Sequence, residues 1–483
     1  MAFTRTQTLM AGSAAAAIAA ATAVAVLPAT ASANVAGATI TAPVGGHAYR
    51  HGAFPQAGAG HLATHATAPM GAGGGKANET KPMTYHGGTG GVGVTTGAPK
   101  VYVIYWGSQW GTAAKDANGY TTLSGDTAGM APRQQAFFKG LGTKGEKWSG
   151  VMTQYCQGIP SGAKSCPANS AHVGYPTGGA LAGVWYDNSA AAPGAATGNQ
   201  LAQEAVKAAQ HFNNLSAAAN RNVQYVITSP TGTTPDGFNT ASGDFCAWHD
   251  FSGDSSLDGG GAVTSPVGPV AFTNMPYLPD AGKSCGAGFV NGAAGALDGV
   301  TIVGGHEYAE TITDQFPYSA NPSSPVLTSG GWITDNDGSG GENGDKCAWV
   351  RTGPGVAFDL GLSTGSFPVQ TTWANDANNG AGGCLGAHAI VTNGHAVTIG
   401  HVANQSGVVG RSVRLVVVGH DSSASSHLTY TVVGLPAGLR IDARTGAITG
   451  RPTRSGTFHV TVQAKDETGA FTRVSFIWTV RAH

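Results

Sequence analysis

The feature that most restricts this chain is a change of hydrophobic rhythm near Val402. Downstream, apolar and polar residues alternate in short runs at 412–418, 428–432, 457–462 and 474–480, with turn signals at Thr445-Gly446 and at Gly450-Arg451-Pro452. A period of two places successive side chains on opposite faces of a strand, so such runs close a core only by packing two sheets face to face. Several strands in roughly 80 residues therefore predict a small sandwich over residues 403–483.

Upstream the rhythm is mixed. Residues 100–106 form a short apolar run, Val101, Val103 and Ile104 among them, stopped by Gly107, and read as a buried strand; residues 222–228 read as another. Between them, a helix is expected near 133–141, and a second at 199–213, where Leu201, Ala205, Ala208, Ala209 and Phe212 recur at helical spacing. Strand, helix and strand in this order predict a mixed α/β main domain over residues 96–400.

The first residues combine Arg5, an Ala/Val/Leu stretch from Leu9 to Leu27 and Ala31-Ser32-Ala33, the pattern of a signal peptide over residues 1–33. Its apolar part is Ala-rich and lacks positive stop-transfer residues, so no stable membrane insertion is expected and the mature protein should be secreted. Residues 34–95 are rich in Gly, Ala and His, with His47, His51, His61 and His65 scattered without periodicity, and read as a disordered spacer or pro-segment. Export sets the chemistry of Cys156, Cys166, Cys246, Cys285, Cys347 and Cys384. An even count in an oxidising compartment favours disulfides, the absence of C-x-x-C disfavours a structural thiolate zinc site, and short loops favour Cys156–Cys166, Cys246–Cys285 and Cys347–Cys384. With 25 basic and 26 acidic side chains and no Lys/Arg cluster, nucleic acid is excluded as a partner, and a monomer is expected.

The stretch most able to do chemistry is Gly304-Gly305-His306-Glu307-Tyr308-Ala309-Glu310, continuing to Asp314. On a helix, with His306 at zero, Glu310 falls at about 40°, Asp314 at about 80° and Glu307 at about 100°. Four ionisable groups thus share an arc, with Tyr308, Ala309 and Ile312 opposite, while Gly304-Gly305 leaves room for another backbone or a substrate. The pattern is a relative of H-E-x-x-H, with a carboxylate in the second ligand position; the bland reading is a solvated acidic helix face carrying one histidine. Downstream, Trp332-Ile333-Thr334-Asp335-Asn336-Asp337 and Glu342-Asn343-Gly344-Asp345-Lys346-Cys347 form a Gly-rich acidic loop. It offers Glu342 as a third ligand, Asp345 as an acceptor for the His306 ring, or a calcium loop of oxygen donors. His249, three residues past Cys246, is a ligand, a general acid or a buried structural histidine.

Two resemblances follow from these residues. Residues 435–442, 445–452 and 456–466 resemble the immunoglobulin-like, cadherin-related domains of secreted bacterial proteins, which act as spacers or adhesive appendages. The order Phe245-Cys246, Trp248-His249, Gly305-His306-Glu307, Glu310, Trp332 and Glu342, Gly344-Asp345, Cys347, with Gln370, Trp373, Asn375 and Cys384 beyond, resembles the exordium, or phosphate-induced, family of secreted plant proteins and its bacterial relatives. That resemblance spans about residues 95–395 and implies an extracellular protein with no agreed enzymatic activity.

The residues themselves favour a secreted metal-dependent hydrolase of zinc-peptidase type acting on a protein, peptide or cell-surface polymer. His306 and Glu310 would bind Zn2+ with Glu342 or His249, Glu307 would take the proton of bound water, and Asp314, Asp345 and Trp332 would support the ligands. The alternative is a non-catalytic extracellular binding or signalling protein of exordium type, with the cluster serving as a structural polar core or a Ca2+ site.

Overall fold

The run at residues 100–106 becomes strand β1 (Lys100–Trp106) of a five-stranded sheet completed by β2 (Leu181–Asp187), β3 (Val223–Thr228), β4 (Trp248–Phe251) and β5 (Ala271–Met275). The computed structural model describes residues 52–53, 55, 81–167, 170–240, 245–318, 329–334, 341–391, 397–400, 402–421, 427–466 and 471–482. The sheet order is β2-β1-β3-β5-β4, with β2, β1, β3 and β5 parallel and β4 antiparallel to β5. The two strands legible as apolar runs, β1 and β3, lie side by side inside the sheet, and all six residues of β3 are buried, as strands covered on both faces must be. Strands β4 and β5 escape such reading because they bury His249, Asp250, Thr273 and Asn274.

Helices α1 (Met130–Gly140), α2 (Gly198–His211) and α3 (Asp298–Thr313) accompany the sheet. The α2 boundary is set by a capping box: the Gln200 N–H donates to the Thr197 hydroxyl and the Thr197 N–H to the Gln200 side chain, which satisfies two amides the first turn would orphan. All 16 residues of α3 are buried. It packs against α1, β4, β5 and the strand Gly365–Val369, so a solvated acidic face is not what this helix presents. Trp110, Trp148, Trp248 and Trp332 are fully buried in the same core.

The segment 81–95, read from sequence as the end of a disordered spacer, is folded into this body. Thr84–Tyr85 pairs antiparallel with Trp332–Ile333, and Met83, Tyr85 and Val94 are buried. A short segment recruited by a long-range partner carries no periodicity of its own. The leader, His47, His51, His61, His65, Asp335, Asn336 and Asp337 lie outside the described residues.

Strands β6 (Gln405–Val408), β7 (Val413–Val416), β8 (Thr429–Val433), β9 (Leu439–Ile441), β10 (Ala447–Gly450), β11 (Gly456–Lys465) and β12 (Phe471–Arg481) form the C-terminal module. One sheet has the order β6-β12-β11-β8 and the other β7-β10-β9, with Val417, Tyr430, Ile448, Val460, Val462, Phe476 and Trp478 buried in its core. Gly450, expected in a turn, ends β10 instead, opposite Val413 and Leu439. The chain as a whole is β-rich with few helices. The three disulfides are Cys156–Cys166, Cys246–Cys285 and Cys347–Cys384, as the short-loop argument expects. No helix among the described residues is long and apolar enough to cross a membrane.

Candidate metal centre

Helix α3 brings His306 and Glu310 one turn apart, and His306 Nε2 lies 2.9 Å from Glu310 Oε1. Strand β4 supplies His249, whose Nδ1 lies 3.5 Å from Glu307 Oε2 and 3.7 Å from Glu310 Oε2. The acidic loop, pinned by Cys347–Cys384, adds Asp345, with Oδ1 at 3.5 Å from His306 Nε2, and Glu342, with Oε2 at 3.6 Å from His249 Nε2. His249, His306, Glu310, Glu342 and Asp314 are 0% exposed and Glu307 1%. Two sets, His249–Glu307–Glu310 and His306–Glu310–Asp345, hold their donor atoms within 4.8 Å of one another and share Glu310.

The hydrogen bonds of the two rings fix where their lone pairs point. Gln370 Nε2 donates to the Gly344 carbonyl at 2.7 Å, so its Oε1 is the atom facing His306 Nδ1 at 3.1 Å. His306 Nδ1 therefore carries a proton, and in the neutral ring Nε2 presents a lone pair to Glu310 and Asp345. His249 Nε2 lies 3.2 Å from the Asp314 carbonyl, which by the same logic turns the Nδ1 lone pair toward Glu307 and Glu310. Glu307 Oε2, Glu310 Oε2, Asp314 Oδ2 and Asp345 Oδ2 accept no hydrogen bond from the described residues. Carboxylates and rings converging at 2.9–3.7 Å require a positive charge among them, which a protonated His306 donating from Nε2 to Glu310 supplies in the absence of an ion and a divalent cation would supply in its place. Donors about 2.05 Å from a tetrahedral ion stand about 3.3 Å apart, so the residues present fit a divalent cation of zinc type.

The electrostatics agree. Burial pushes Glu307 up to about 8, against the pull of His306 and the Ala53 amide, and raises both Asp314 and Asp345 to about 7. Burial, then the neighbouring Glu310, holds Glu342 well above the usual carboxylate range. His306 is buried too, yet the Glu310 and Asp345 carboxylates hold its imidazole well above the ordinary value, while burial keeps His249 below it. A dication in their midst would reverse the sign of the cost each carboxylate meets.

Most residues expected at the site converge, with exceptions. Asp314 is the C-cap of α3, with φ −142° and ψ 78°, rather than the next member of the helical arc, and its Oδ1 accepts the Gly331 N–H at 2.7 Å. Trp332 points its indole N–H at the Cys156 carbonyl, 2.8 Å away, and pairs through its backbone with Tyr85. Gly304 and Gly305 meet aromatic rings, Phe138 beside the first and Phe137 and Trp148 beside the second, rather than a substrate or another backbone. Gly344 is the glycine the site requires: a Cβ there would stand 2.8 Å from Glu310 Oε1 and 2.9 Å from His306 Nδ1. Sequence reasoning named Gln370 only within a family resemblance and not as the residue that orients His306, and it missed Ala53, whose N–H donates to Glu307 Oε1 at 2.9 Å. Neither has a local signal, since they lie 64 and 254 residues from their partners.

Among known proteins, the family described as "Putative Ig domain" matches residues 396–481. The serine-rich adhesin for platelets of Staphylococcus aureus strain MRSA252 is 28% identical over 126 residues, 26% of this chain and 9% of the adhesin. Its counterpart in strain MSSA476 is also 28% identical over 126 residues, covering 5% of that protein. The chain therefore spans less than a tenth of the length of these relatives. The structure of the SrpA adhesin from Streptococcus sanguinis is 17% identical, with a TM-score of 0.15, over 18% of this chain and 57% of that one. The extracellular cadherin domains 1–4 of protocadherin gamma B7 are 17% identical, with a TM-score of 0.16, over 25% of this chain and 28% of that one. The family match over residues 396–481 supports the immunoglobulin-like part of the sequence resemblance. The expectation of a metal-dependent hydrolase of peptidase type is overturned: the curated relatives are adhesins and the matched family is immunoglobulin-like, which fits the non-catalytic alternative.

Proposed function

We propose that the chain is a non-catalytic extracellular binding protein of adhesive type. In this reading it is exported with loss of residues 1–33. An α/β main domain of exordium type is held together by a buried cation, and the immunoglobulin-like module contributes to contact with a protein or cell-surface partner. The observation that carries the reading is closure. A catalytic metal keeps one coordination position open to water and substrate, whereas His249, His306, Glu307 and Glu310 are at most 1% exposed and one oxygen of Glu307 is taken by the Ala53 amide.

An imidazole in each donor set suits zinc better than calcium, which takes oxygen ligands throughout. His306, Glu310 and Asp345, with His249 and Glu307 on the other side of Glu310, would hold the ion, and Gln370 would orient the His306 ring. Elemental analysis of the purified mature chain is expected to find zinc at one equivalent or more. A strong chelator is expected to lower the melting temperature, and casein or a peptide library should remain uncut. Absence of stoichiometric metal with an unchanged melting curve would refute the cation, and metal-dependent turnover lost in Glu307→Gln would refute the non-catalytic reading.

A further inference from the structure

Gly52 and Ala53, from the region that reads as spacer, sit against the outer wall of the cluster. The Ala53 N–H donates to Glu307 Oε1 at 2.9 Å, and the Ala53 carbonyl accepts the Cys246 N–H at 2.7 Å. Both of its backbone groups are thus engaged by residues about 190 to 250 positions away. Cys246 leads into β4, the edge strand of the five-stranded sheet, which pairs on its other side with β5. Cys246 is further fixed by its bond to Cys285. Main-chain hydrogen bonding to a segment that flanks an edge strand is a recurrent mode of peptide recognition.

The fit at this edge is selective. At Gly52, whose φ is +154°, a Cβ would lie 2.5 Å from Glu307 Oε1, 2.6 Å from the Trp248 Cα and 2.8 Å from the Ala247 carbonyl. Two of these three contacts are backbone and cannot yield, so no side chain fits. Ala53 is 2% exposed and belongs to the main core, so its methyl occupies an enclosed slot. The groove accordingly demands glycine followed by a small residue.

We infer that the Cys246–Trp248 segment and Glu307 form a binding groove for a Gly-small peptide, and that the chain's own Gly52–Ala53 segment is its resident ligand. The inference rests on reading the chain as a binding protein but not on the cation. Displacement of the segment would free the groove for a peptide of the same pattern. While tethered, the segment acts at an effective concentration in roughly the millimolar range, so a free peptide at micromolar concentration cannot compete.

The test uses the full mature chain and its Gly52→Val variant, with a fluorescent synthetic peptide of residues 48–56 as probe. In the wild type, the Cys246 amide is expected to exchange slowly with solvent and the peptide not to bind. In Gly52→Val, protection of that amide should fall about tenfold or more, the peptide should bind saturably, and a peptide carrying the same substitution should not. Circular dichroism establishes that the variant is folded, with Gly52→Ala as the milder replacement where it is not. An unprotected Cys246 amide in the wild type, or a folded variant that ignores the peptide, overturns the inference. A dimer that exchanges the segment between copies overturns occupancy within one chain. Zinc content measured on the same samples separates the two readings: a metal-free protein with a protected Cys246 amide refutes the cation alone.

Discussion

Replacing Gly344 by alanine tests whether the cluster is as tightly built as its distances imply. The added Cβ would stand 2.8 Å from Glu310 Oε1, 2.9 Å from His306 Nδ1 and 3.0 Å from His306 Cε1. Gly344 has φ −77°, so the backbone tolerates alanine and the whole effect comes from the contacts. Ordinary contact needs about 0.5 Å more room, and such overpacking costs about 1–3 kcal/mol. The same displacement stretches the Asp345 N–H bond to Glu310 Oε1, now 3.0 Å, adding about 1 kcal/mol. The total of about 2–4 kcal/mol corresponds to roughly 3–6 °C in melting temperature for a domain of this size. Zinc affinity should fall about 10–100-fold, as when a supporting partner of a ligand is lost. Gly304→Ala is the control: its Cβ would meet Met275 and Phe138 at 3.8 Å, ordinary contact, inside α3. It should therefore gain about 0.5–1 kcal/mol. Calorimetry and a competing chelator read both quantities. Gly344→Ala with melting and affinity unchanged, or the two variants behaving alike, would refute the packing argument.

Two further outcomes are expected. Burial and the neighbouring Asp187 raise Glu204 from 4.5 to about 8. The unfolded chain therefore loses that proton first, and stability falls as pH rises from 4.5 to 8. At about 1.4 kcal/mol per pH unit the bound is about 5 kcal/mol, of which the effective dielectric of a relaxing protein interior leaves about 2. Urea titrations at pH 5 and pH 8 should show Glu204→Gln flatter than wild type by that amount, and parallel profiles would contradict it. Cys347→Ser with Cys384→Ser opens a loop of 37 residues, a loss of about 4 kcal/mol by loop entropy. It also frees the loop carrying Glu342 and Asp345, so zinc retention after dialysis should drop with the melting temperature; full retention would mean the loop holds itself.

What could be read from the sequence were elements that announce themselves locally. Strands β1 and β3 are continuous apolar runs, α2 carries a helical stripe and its own cap, and the alternating residues of β7, β8, β11 and β12 define the sandwich. Strands β4 and β5 hide because the residues they bury are His249, Asp250, Thr273 and Asn274, and polarity buried for a tertiary reason cancels periodicity. At the site, spacing of three and four residues located His306, Glu307 and Glu310, whereas Gln370 and Ala53 reach it through separations no pattern spans. Asp314 shows the limit of projecting residues onto an ideal helix: the arc runs one residue past the point where the backbone leaves the helix.

The same residues suggest catalysis in one dimension and cohesion in three. H-E-x-x-E promises an open cation only if one side of the helix faces solvent, and α3 has no such side. Charged residues are 11% of the chain, yet four of its 26 acidic side chains, Glu307, Glu310, Asp314 and Glu342, are buried together around two histidines, with the partly buried Asp345 beside them. Without a counter-charge this would be among the costliest arrangements in the molecule, since each ionised carboxylate forgoes several kcal/mol of hydration. A cation there would add a joint between β4, α3 and the loop ending at Cys347, beside the packing of α3 on β4 and the Cys246–Cys285 and Cys347–Cys384 disulfides.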